Sequence, residues 1–146
     1  MTSGYASANV WQIFGAAVSY RVGQGSIGFV YTNARFQDIR RTASTPNTGN
    51  AAFNSYEING RYYNTPALTI GASFDYTRMR GAKYRQIDFC PNYSLSKRTD
   101  LNPPGVWQYA SGVDSTGHAA VAAISTLCQS STPTQVAVKL SLRHRF

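Results

Sequence analysis

The chain closes on the segment Val136-Ala137-Val138-Lys139-Leu140-Ser141-Leu142-Arg143-His144-Arg145-Phe146, in which residue type alternates with position. Val136, Val138, Leu140, Leu142 and Phe146 share one parity, whereas Ala137, Lys139, Ser141, Arg143 and Arg145 share the other. Successive side chains of a β-strand project to opposite faces, so this ribbon is apolar on one side and cationic on the other. Two environments accommodate such a ribbon. Its apolar face packs into a protein core, or that face meets lipid while the charges turn to water.

The alternation recurs upstream. It marks strands at Val10 to Val22, Ser26 to Phe36, Ala52 to Tyr63, Ala67 to Arg78 and Tyr84 to Leu95, with a poorer one at Leu101 to Ala110. With the closing segment these make seven. Gly23-Gln24-Gly25, Asn64-Thr65-Pro66 and Ser96 to Asp100 are short turns, and Arg80 to Lys83 is a modest connection. Gln37 to Asn50 and Ser111 to Pro133 are long loops. The Ala-rich middle of the second, His118 to Leu127, predicts a helical turn.

Composition narrows the choice. Only 14% of the 146 residues are charged, against about a quarter in ordinary soluble domains, while aromatics reach 13% with ten Tyr. No run approaches the roughly 20 apolar residues of a membrane helix. Strands of about 9–11 residues suit a tilted crossing of a bilayer, and turns alternate between tight and mostly long. Aromatics recur near strand ends at Tyr20, Tyr31, Tyr62, Tyr63, Tyr76 and Phe146, where interfacial girdles sit. The expectation is an all-β fold over residues 1–146, an antiparallel up-and-down transmembrane β-barrel segment. The competing soluble β-barrel turns its apolar faces inward around an apolar ligand.

The formal charge of +8 invites a nucleic-acid reading, but the cations are scattered and no nucleic-acid motif frames them. Cys90 and Cys128 build neither a metal site nor a disulfide framework, and whether they pair stays open. His118 and His144 lack any nucleophile motif, so no catalytic, metal or cofactor site is expected. The first residues carry neither a basic nor an apolar leader region.

Gly28-Phe29-Val30-Tyr31-Thr32-Asn33, Thr65 to Ser73, the turn Tyr93-Ser94-Leu95-Ser96-Lys97-Arg98-Thr99-Asp100 and the closing Leu142 to Phe146 together resemble the carboxy-terminal portion of a Gram-negative general porin of the β-proteobacterial type. The resemblance implies a sixteen-stranded barrel of which these are the last seven strands, an outer-membrane location among lipid, and a homotrimer. It also implies a water-filled channel for passive diffusion of small hydrophilic solutes and ions. In such porins an alternating strand with a terminal aromatic resembles the signal read by the barrel-assembly machinery; Val138, Leu140, Leu142 and Phe146 match it. A chain truncated at its amino terminus is then expected, with a non-functional porin fragment as the alternative.

On the water-facing parity, Arg21, Glu57, Arg61, Lys139 and Arg143 are the pore-lining candidates. Their excess of cations predicts an anion-favouring passage. Pro91 and Pro103-Pro104 interrupt strands five and six; proline has no N–H, so irregular pairing is expected there.

Overall fold

The computed structural model describes residues 8–40, 49–114, 117–125 and 127–146. It is an open antiparallel up-and-down sheet of nine strands with no helix among the described residues. The strands are β1 (Ala8–Val22), β2 (Gly25–Ile39), β3 (Gly49–Tyr63), β4 (Leu68–Met79), β5 (Ala82–Ser96), β6 (Thr99–Asn102), β7 (Gly105–Gly112), β8 (Thr134–Val138) and β9 (Ser141–His144).

Nine segments make seven crossings. Phe89 faces Gly105 and Tyr93 faces Leu101, so four steps along β5 match four steps back from β7 to β6. Likewise Gly105 faces Val138 and Leu101 faces Leu142. No residue is gained or lost at Pro103-Pro104 or at Lys139-Leu140; β6 with β7, and β8 with β9, are single strands with a local lapse in the ladder. The expected irregularity is therefore real but costs no register.

The turns follow the expected alternation of ends. Gly23 takes φ 53° between paired Val22 and Gly25, the left-handed value a two-residue hairpin needs at its first position. Lys97-Arg98 and the Asn64 to Ala67 turn lie at the same end. At the other end, Arg80-Gly81 is tighter than its sequence implies. Gly81 and Gly112, both at positive φ, stand so close that a Cβ on Gly112 would run into the Gly81 carbonyl oxygen, which accepts the Val113 N–H at 2.8 Å. Of the first long loop, 41–48 lies outside the described residues, and β2 extends to Ile39 while β3 begins at Gly49.

The predicted helical turn is absent from the described residues of 118–127. Apart from Leu127, whose N–H closes a local turn on the Ile124 carbonyl at 3.1 Å, the N–H groups with partners in this stretch reach neighbouring structure. Ala122 N–H donates to the Thr132 carbonyl at 3.1 Å, Ala123 N–H to Gln108 Oε1 at 2.6 Å and Ile124 N–H to Gln135 Oε1 at 2.9 Å. Ala120, Ala122 and Ile124 are buried in consequence.

Residues directly opposite in an antiparallel pair project to the same side, so the register converts strand parity into rows across the sheet. One row runs Val18, Phe29, Ile58, Phe74, Ile87, Trp107, Val136 through all seven crossings. Every member is exposed, from 37% at Trp107 to 66% at Val18 and Val136. Toward the loop end follows Tyr31, Tyr56 and Tyr76, with ring centroids 5.2 and 6.5 Å apart. The core is small and lies on the opposite face at the loop end, where Phe36, Ile39, Met79, Ala82, Ala110 and Ala120 cluster. Among the described residues no large side chain is fully buried.

Candidate functional site

The polar face gathers the chain's chemistry. Arg21 faces Ser26, Ser26 faces Arg61, Arg61 faces Gly71 and Gly71 faces Cys90. The same row ends at Pro104 and Lys139, joined by the Lys139 N–H to the Pro104 carbonyl at 3.0 Å. Three of the five pore-lining candidates, Arg21, Arg61 and Lys139, thus share a row although 118 positions separate the first from the last. Glu57 lies two rows nearer the loop end, opposite Val30 and Asp75. Arg143 faces Asp100 at the turn end, where Asp100 accepts from Ser94 Oγ at 2.9 Å and pairs with Arg145 at 3.4 Å.

Sequence reading named Glu57 alone among the acids of this face. Register adds Asp75, opposite Glu57, and Asp88, opposite Ser73. A chain of hydrogen bonds connects them. Ser73 Oγ donates to Asp88 Oδ2 at 3.1 Å and lies 3.4 Å from Asp75 Oδ2; Gln86 Nε2 donates to both Asp88 oxygens at 3.1 and 3.0 Å. Gln108 Nε2 donates to Gln86 Oε1 at 2.8 Å, and its own Oε1 holds the loop at Ala123. Asn59 Nδ2 donates to Glu57 Oε1 at 2.6 Å. The parity of these residues was visible in the sequence; which of them oppose one another was not.

Arg21, Arg61, Lys139 and Arg143 are therefore answered on the same face by Glu57, Asp75, Asp88 and Asp100. The carboxylates of Glu57, Asp75 and Asp88 occupy two adjacent rows and Arg21, Arg61 and Lys139 the next, while Arg145, paired with Asp100, adds a fifth cation to the four carboxylates of this face.

Val138, Leu140, Leu142 and Phe146 are all strongly exposed on the apolar side, with His144 and Phe146 in edge contact at 5.1 Å. Cys90 and Cys128 are both free and exposed. Among the described residues no group of His, Cys, Asp and Glu is arranged to hold a metal. Among the described residues no helix is long and apolar enough to cross a membrane, which does not bear on strands. No protein-family model matches the chain, and no curated protein is significantly similar to it.

Proposed function

We propose that the chain forms part of the wall of an outer-membrane diffusion channel, a porin segment whose polar face borders water and whose apolar face meets lipid. The observation that carries this reading is the apolar row from Val18 to Val136, exposed across all seven crossings and covered by no other part of the described chain. A soluble barrel or sandwich would bury that row, and monomeric soluble proteins rarely expose so continuous an apolar surface.

The dimensions agree. Ten steps along β4 from Arg78 to Leu68 cover about 33 Å of strand. A tilt of about 40° turns this into a height of about 25 Å, that of the apolar band of outer-membrane barrels. The sheet is open at β1 and at β8–β9, and bare strand edges are not tolerated in lipid, so a closed wall takes further strands from a longer chain or from other copies. Homotrimer formation and recognition of the strand ending at Phe146 by the barrel-assembly machinery belong to the same proposal. Mechanistically the passage is passive: width sieves small hydrophilic solutes, and the charge rows bias ions by sign.

The test uses Trp107, which belongs to the apolar row. In the Trp11→Phe chain folded into phosphatidylcholine vesicles, brominated acyl chains should quench Trp107 strongly, and planar bilayers should record conductance once a wall closes. A water-soluble monomer whose Trp107 is indifferent to bromolipid would overturn the reading.

A further inference from the structure

Cations also occur on the apolar side, and they are confined to its loop end. Arg78 faces Lys83 and Asn54 in the row just beyond Tyr31, Tyr56 and Tyr76. Arg85 faces Tyr76 within the tyrosine row, and Arg35 lies one row farther out, opposite Gln12 and Ala52. All four are exposed, and none pairs with a carboxylate among the described residues. A cavity of about 540 Å³ opens here, bordered by Arg78, Arg80, Lys83, Asn54 and Tyr56. The acids Glu57, Asp75, Asp88 and Asp100 belong to the opposite face, Asp38 to the irregular end of β2 and Asp114 to the loop.

Along β4 and β5 this side therefore changes in a fixed order, from apolar (Phe74, Ile87) to tyrosine (Tyr76) to guanidinium and ammonium (Arg78, Lys83). An amphiphile with acyl chains and an anionic headgroup has the complementary order. We propose that the rim formed by Arg78, Lys83 and Arg85 binds the phosphate of an anionic membrane lipid whose chains lie against Phe74 and Ile87. Guanidinium groups match phosphate oxygens in a bidentate fork, and the lysine adds a point charge beside them. Next to a low-dielectric apolar surface these attractions are less screened than in open water. The inference rests on the membrane reading above and adds a ligand to the side of the sheet that faces away from solutes.

The 146-residue chain is folded into neutral phosphatidylcholine vesicles, and flotation verifies insertion. Energy transfer from Trp107, which faces Ile87 two residues from Arg85, then reports a trace of dansyl-labelled phosphatidic acid or dansyl-labelled phosphatidylcholine. Phosphatidic acid should be enriched around the unmodified chain. The Arg78→Gln/Lys83→Gln double variant should lose about fivefold of that preference per charge removed. Lys97→Gln/Arg98→Gln, which removes the same charge at the turn end, should keep it. Flotation without any phosphatidic-acid preference, or equal loss in both double variants, would overturn the lipid site and leave the membrane reading intact. Failure to float would overturn both. Binding of a labelled oligonucleotide through Arg78 and Lys83, with no lipid preference, would assign the cations to nucleic acid and overturn the proposal.

Discussion

Pro91 and Pro103 stand opposite each other across the lapse between β5 and the β6–β7 strand. The register places them as partners, because Phe89 faces Gly105 and Tyr93 faces Leu101. The Ser94 N–H points to the Ala67 carbonyl on the β4 side, so the odd residues of β5, Pro91 among them, point the other way. The Ala110 N–H points to the Pro133 carbonyl, so the odd position Pro103 points back at β5. Each proline offers the other a carbonyl and no donor.

Pro103→Val restores one donor aimed at the Pro91 carbonyl. It should stabilise the folded sheet by about 1 kcal/mol in vesicles, the net value of a single hydrogen bond. Denaturant titration measures it, and amide exchange should show new protection at 103. A destabilised variant would mean the strand is held in proline geometry by something else.

Gln108 is only 3% exposed and spends both ends of its amide, one on Gln86 and one on the Ala123 N–H. Gln108→Leu strands that N–H, at a cost of about 1–3 kcal/mol. The expected result is local: faster amide exchange and proteolysis between 117 and 133, with β1 to β4 unchanged. Uniform loosening of the whole sheet would contradict it.

Phe29 and Val30 are neighbours on opposite faces. Phe29→Lys puts a charge in the apolar row and should cost about 2–4 kcal/mol in a bilayer. Val30→Lys puts the same charge opposite Glu57 and should cost little. Urea unfolding from vesicles compares the two, and equal costs would mean that the faces do not differ in environment.

The charge rows make opposite predictions for ion preference. Asp75→Asn with Asp88→Asn should move the reversal potential of any conducting assembly toward anions, and Arg21→Gln with Arg61→Gln toward cations. Unmoved potentials in both would remove the polar face from the conduction path.

Strand parity was legible in the sequence where the period of two is clean, in the stretches from Val10 to Leu95 and again from Val136 to Phe146, but not in the poorer Leu101 to Ala110 stretch. The face of each pore-lining candidate followed from it. Register was not legible: that Arg21, Arg61 and Lys139 share a row depends on the six connections between the seven strands, and each could slip by two without violating the alternation. The Ala-rich loop misled for a related reason. Helix propensity is a weak prior, and the side chains of Gln108 and Gln135 offer Ala123 and Ile124 better acceptors than a helical turn does. The cations from Arg78 to Arg85 are close in sequence, but that Arg78 and Lys83 directly oppose each other, with Arg85 beside Tyr76 on the same side, follows only from the register across the tight Arg80-Gly81 turn.

The scarcity of interior has a consequence for what folding means in this chain. The eight buried hydrophobic residues among those described, half of them alanine, exclude too little apolar surface from water to offset the conformational entropy of ordering so many backbone units. The compensating free energy has to come from whatever medium wets the row from Val18 to Val136. On the proposed membrane reading, stability is accordingly a joint property of polypeptide and solvent, and a melting temperature measured for this sheet is also a measurement of the detergent or lipid chosen for it.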